Sequence, residues 1–74
     1  MNVLTTKQKE LLHAIEYFIN ENSYSPTIRE LGQMLGNSSP ATIQSKLFEL
    51  ERKKYISTVP GKSRTIKVLR SCEE

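Results

Sequence analysis

The sequence predicts a mainly α domain: three helices followed by a small two-stranded antiparallel hairpin. Three observations carry this. Two boxes of the type Thr-x-x-Gln/Glu, Thr5–Gln8 and Thr27–Glu30, each open a run of apolar residues at helical spacing. A tight polar turn, Asn37-Ser38-Ser39, leads through Pro40 into a third such run. Two segments rich in β-branched residues then flank a Pro-Gly loop.

In the first helix, Thr5 and Gln8 can each cap the other's backbone N–H, and Leu4 is placed to staple onto the helix. Leu11, Leu12, Ile15, Phe18 and Ile19 form one apolar stripe, giving a helix from Thr6 to about Glu21. The stretch Asn22-Ser23-Tyr24-Ser25-Pro26 ends it, because Ser25 before Pro26 is pushed to extended backbone. The second helix is short, capped by Thr27, with Ile28, Leu31 and Leu35 facing inward and Gly36 as a left-handed C-terminal residue. Gly32 in its middle costs about 1 kcal/mol relative to Ala, which implies that another helix approaches closely there. The third helix starts at the N-cap Ser39 and at Pro40, a residue suited to the first helical position. It buries Ile43, Leu47 and Leu50 and ends near Lys53-Lys54, whose charges suit a helix C-terminus.

The hairpin strands are expected at Tyr55–Val59 and Thr65–Leu69, joined by the five-residue loop Pro60–Arg64, with Ile56, Ile66 and Val68 covering the helices. Residues 1–70 read as one domain and 71–74 as a frayed C-terminal tail. Tyr17, Tyr24 and Tyr55 are expected at the edges of the core, and His13 on a solvent-facing helix position.

A chain of 74 residues has room for one core and buries only about 60% of the surface its unfolded form exposes. Its one cysteine, Cys72, has no partner within the sequence. With no signal peptide and no apolar stretch near the roughly 20 residues that span a bilayer, the reading is a reducing bacterial cytoplasm or nucleoid, with no membrane partner. Enzyme readings are poor. There is one histidine, no set of Cys, His and acidic ligands at zinc spacing and no nucleotide loop, so no metal, cofactor or small-molecule ligand is implied. The tyrosines are too scattered to stack a single strand.

Charge is unevenly placed. Residues 1–45 hold three basic groups against four acids, a net of −1, whereas residues 46–70 hold eight against two, a net of +6. Such a basic half is the footprint of a polyanion partner or simply a Lys-rich solvated surface. The element order separates these readings. Helix, short helix, tight turn, helix, hairpin is the order of a winged helix-turn-helix, in which the second helix of the pair offers its N-terminal residues to the major groove. With Ile43 set inward, Ala41, Ser45 and Arg52 point away from the core, flanked by Thr42, Gln44, Phe48 and Glu49. Small polar residues let a helix sit deep in the groove. Gln44 can grip adenine bidentately, Thr42 and Ser45 can bond several bases, Ala41 can touch a thymine methyl, and Ser39 stands at the cap. Lys46, Arg52, Lys53 and Lys54 run along or just past this helix, with Lys62 and Arg64 at the hairpin tip, placed to grip phosphates or enter the flanking minor groove.

These residues resemble the N-terminal DNA-binding domain of the LexA repressor family, regulators of the bacterial SOS response. The matching stretches are Leu4-Thr5-Thr6-Lys7-Gln8, Tyr24-Ser25-Pro26-Thr27-Ile28-Arg29-Glu30-Leu31-Gly32 and Leu35-Gly36. They continue through Ser38-Ser39-Pro40-Ala41-Thr42-Ile43, Leu47, Leu50 to Ile56 and Ser63-Arg64-Thr65-Ile66, so that residues 3–69 are covered. The resemblance implies a recognition helix reading half of a palindromic double-stranded operator, with two copies on the full site. Carried over position by position, Ser39, Ala41, Thr42, Gln44 and Ser45 would read bases, and Thr27, Arg52, Lys62, Ser63 and Arg64 would meet phosphates.

Three departures stand out. The family's self-cleaving domain lies outside these 74 residues, so the chain is either a small regulator or the head of a longer one. Asn37 stands where the family usually has an apolar residue, and Phe48 where it has a small or charged one. An exposed Phe48 keeps open a second reading, in which the winged helix contacts a protein partner and modulates another regulator without reading DNA itself.

Overall fold

A computed structural model of the chain describes residues 4–59 and 61–70; Cys72 and the expected tail 71–74 lie outside them. Three helices, α1 (Thr6–Asn22), α2 (Ile28–Met34) and α3 (Pro40–Arg52), precede strands β1 (Ile56–Ser57) and β2 (Lys67–Val68). The strands pair antiparallel, Ile56 opposite Val68 and Ser57 opposite Lys67. This is a winged helix-turn-helix.

Both expected capping boxes form. Thr5 Oγ1 accepts from the Gln8 N–H (3.2 Å) while Gln8 Oε1 accepts from the Thr5 N–H (3.0 Å). Thr27 and Glu30 repeat the exchange at 3.1 and 2.9 Å. The stripes then meet in one cluster: Leu4, Leu11, Leu12, Ile15, Leu31, Ile43, Leu47, Leu50, Tyr55, Ile56 and Ile66 are buried, with Ile19, Ile28, Leu35 and Val68 packed against them. Removing this apolar area from water is the main stabilising term in so small a domain.

Four local expectations are corrected. Helix α1 ends at Asn22, within one residue of the expected Glu21, but the residue that turns the chain is Ser23 rather than Ser25: it is left-handed (φ 64°) and donates its N–H to the Ile19 carbonyl (2.8 Å). The neighbour that requires Gly32 is the backbone of the turn rather than a helix. A Cβ on Gly32 would stand 2.6 Å from the Ser38 carbonyl oxygen, and the Ser38 N–H donates to the Gly32 carbonyl at 2.9 Å. Gly36 and Asn37 are both left-handed (φ 79° and 63°), a conformation Gly and Asn accept at low cost, and this pair swings the chain back from α2 to α3. The ladder is two residues per strand instead of five, because the Thr65 side chain replaces backbone pairing. Its Oγ1 accepts from the Val59 N–H (3.0 Å), and the Lys62 N–H closes on the Val59 carbonyl (3.2 Å), which widens the wing loop. Finally, only Tyr55 joins the core. Tyr17 and Tyr24 are largely exposed, Tyr24 resting its ring edge-on against Phe18 (5.6 Å between centroids).

Candidate nucleic-acid interface

The outer face of α3 begins at its cap. Ser39 Oγ accepts from the Thr42 N–H (3.2 Å) and shares a hydrogen bond with Thr42 Oγ1 (2.9 Å), so these hydroxyls hold each other and fix the first turn. Ala41, Gln44 and Ser45 are exposed, and the side chains of Gln44 and Ser45 make no hydrogen bond to other described residues. The expected base-reading set is thus one contiguous surface at the N-terminal end of α3, with Gln44 and Ser45 its unengaged polar groups. Phe48 and Arg52 continue the row, both exposed, Arg52 lying 3.5 Å from Glu49.

Beside this row runs a cleft of about 620 Å³ between the start of α2, the flank of α3 and the wing. Thr27, Arg29, Gln44, Phe48, Val59 and Lys62 are among its walls. Arg29, Lys62 and Ser63 are exposed. Arg29 received no role from the sequence beyond its charge; its place on the cleft wall follows from the angle between α2 and the wing, which no local pattern encodes. Of the remaining expected phosphate residues, Lys46 is half-buried on α3, Lys53 donates to Gln8 Oε1 (3.0 Å) and ties the end of α3 to the start of α1, and Thr27 spends its hydroxyl on the α2 cap. Among the described residues, Arg29, Lys46 and Lys62 have no acidic partner.

Arg64, expected at the wing tip, is turned back onto α2. Its Nη1 donates to Glu30 Oε1 and to the Ser25 carbonyl, both at 3.1 Å, and Nη2 donates to Glu30 Oε2 at 3.0 Å. The same guanidinium lies 4.8 Å above the Tyr24 ring. A planar fork fits a carboxylate and an aromatic face together, which an ammonium does not. The consequence is a clamp: Arg64, itself left-handed (φ 56°), fastens the wing to the N-terminus of α2. The Thr27 backbone N–H, and after it Arg64, hold the Glu30 carboxyl below its ordinary range. The clamp was illegible in the sequence because its partners stand 34 residues apart. Among the described residues no group of acids, His and Cys could hold a metal ion, and no helix is long and apolar enough to cross a membrane.

The sequence that builds this arrangement is similar to known proteins. The family model describing the LexA DNA binding domain covers residues 1–65. The LexA repressor of Carboxydothermus hydrogenoformans is 38% identical over 68 residues, 92% of this chain and 33% of that protein. Those of Bacillus mycoides and Bacillus thuringiensis are each 39% identical over 69 residues, 93% of this chain and 34% of theirs. The chain therefore spans about a third of the length of these curated relatives. A match running through all three helices and into the wing leaves one conclusion: the chain belongs to the LexA DNA-binding domain family, and it is a DNA-binding domain.

Proposed function

We propose that the domain represses transcription by binding one half of a palindromic operator, two copies occupying the full site and blocking polymerase in the bacterial cytoplasm. Helix α3 enters the major groove. Ala41, Gln44 and Ser45 read base edges directly, while Ser39 and Thr42 present the shared hydroxyls of the cap. Thr27, Lys46, Arg52, Lys53, Lys62 and Ser63 meet the backbone, and Arg64 serves by holding the wing at the right distance from α2. The observation that carries this reading is the small, polar, unengaged surface of Ala41, Gln44 and Ser45 beside a cleft rimmed by Arg29 and Lys62. A helix face of small residues fits the groove closely, and the adjacent cations supply the salt-dependent part of the affinity. One half-site offers few phosphate contacts, so a single copy binds weakly and specificity comes from the pair.

Selection of bound duplexes from a random pool at moderate salt tests this. The expected result is an enriched half-site recovered in inverted pairs at fixed spacing. Salt-sensitive binding without enrichment would contradict base reading. A second reading, a protein-interaction module, draws on one observation: Phe48 is 60% exposed. It predicts that no duplex is retained.

A further inference from the structure

Phe48 is a large apolar side chain in the middle of the outer face of α3, with 60% of its surface open to solvent. It stands outside the hydrophobic core, and no ring or cation packs on it among the described residues. It lies four positions beyond Gln44 and seven beyond Ala41, so the three share one side of the helix. With Gln44 it lines the cleft opposite Val59 and Lys62 of the wing. Its neighbours one turn away on the helix surface, Gln44, Ser45, Glu51 and Arg52, are polar, so on α3 itself Phe48 stands alone as an apolar group, and the exposed Val59 faces it across the cleft.

We propose that Phe48 reads DNA, its ring meeting the C5-methyl of a thymine on the wing side of the half-site. This rests on the reading of α3 as the groove-seated helix. The major-groove edge of a base pair offers hydrogen-bond donors, acceptors and one apolar group, the thymine methyl. A phenyl ring can satisfy only the last. In a groove-seated zinc-finger helix, positions three or four apart on one face contact successive bases, and Ala41, Gln44 and Phe48 have a similar spacing. Seven residues advance about 10 Å along the axis, roughly three base steps at 3.4 Å each. The contact therefore falls a few base pairs from the one made by Ala41, next to the strand that passes between α3 and the wing. An occupant must present polar edges to Gln44 and Ser45 and an apolar group to Phe48 side by side, which a stack of bases containing thymine does.

The test uses the duplex recovered by selection, with each thymine of the half-site replaced in turn by deoxyuridine, which removes only the methyl. One replacement should weaken wild-type binding about fourfold, the worth of one buried methyl group at about 0.8 kcal/mol. That replacement should leave Phe48→Ala unaffected and still be felt by Phe48→Leu, which keeps an apolar tip. Because Phe48 is exposed, both variants should fold, and an unchanged circular dichroism spectrum checks it. If every replacement affects wild type and Phe48→Ala equally while operator binding persists, Phe48 does not touch a thymine methyl, although α3 still reads DNA. If no duplex is selected at all, both readings fall, and a protein partner lost by Phe48→Ala takes their place.

Discussion

Replacing Gly32 with alanine tests the geometry that presents α3. On helix propensity alone the change should stabilise the domain by about 1 kcal/mol. The structure predicts the opposite. The new Cβ would stand 2.6 Å from the Ser38 carbonyl oxygen, well inside contact distance, and the obstacle is backbone that cannot rotate away. Either α2 or the turn must retreat by most of an ångström, and the Ser38 N–H to Gly32 carbonyl bond at 2.9 Å lengthens or breaks with it. Overpacking of this kind costs typically about 1–3 kcal/mol, here at the upper end because no flexible side chain yields. Losing the hydrogen bond adds about 1 kcal/mol. After the helical gain is subtracted, Gly32→Ala should destabilise by about 2–3 kcal/mol, a fall in Tm of roughly 10–20 °C for a domain of this size. Thermal unfolding followed by circular dichroism reads it. Gly36→Ala is the control: a Cβ there meets nothing within 4 Å, and only the left-handed φ of 79° opposes it, at about 1 kcal/mol. If Gly32→Ala melted at or above the wild-type temperature, the account of the turn, and with it the placement of α3 against α2, would be wrong.

Three further outcomes are expected. Gln44→Ala should flatten base preference at one operator position by about 1–3 kcal/mol while leaving the salt dependence of binding unchanged, as read by titrations against single-base variants. Lys62→Ala should weaken binding to all sequences alike and lower the salt slope by about 1; Arg64→Ala should also weaken binding but leave the slope nearly unchanged, because its charge already faces Glu30, and amide exchange should speed up in residues 61–66. The clamp should also fail in acid. Glu30 has its carboxyl pKa lowered from an ordinary 4.5 by the Thr27 N–H and by Arg64, so the clamp's contribution is complete above that ordinary value and fades as pH falls through the lowered one. NMR shifts of wing amides should therefore hold steady from neutral pH to about 5 and move only below the ordinary carboxylate range, and Glu30→Gln should move them at neutral pH.

The elements are legible through short-range signals that survive packing. Thr5–Gln8 and Thr27–Glu30 cap within four residues, Ser39-Pro40 starts α3 within two, and Ile43, Leu47 and Leu50 mark its inner side by spacing alone. The outer side of α3 followed by subtraction. What escaped is long-range or backbone-mediated. The Arg64–Glu30 clamp joins residues 34 apart in the chain, so the sequence shows Arg64 only as a wing-tip cation placed to meet phosphate. The demand on Gly32 comes from a carbonyl oxygen, which every residue carries and no sequence pattern displays. The paired part of the hairpin is shorter than its β-branched residues suggest, because they mark extended backbone without marking pairing, and Thr65 pairs through its hydroxyl. The exposure of Tyr24 escapes because its partners, Phe18 near the end of α1 and the Arg64 guanidinium from the wing, hold the ring outside the core, which no local pattern displays.

The most direct test of the central claim is an NMR titration of the labelled domain with a duplex carrying the selected half-site. The account predicts that the largest amide shifts fall at residues 39–45 and 48 on α3 and at 61–63 on the wing, with Tyr17 and His13 on the exposed side of α1 unmoved. Shifts centred on α1, with the N-terminal end of α3 silent, would contradict it.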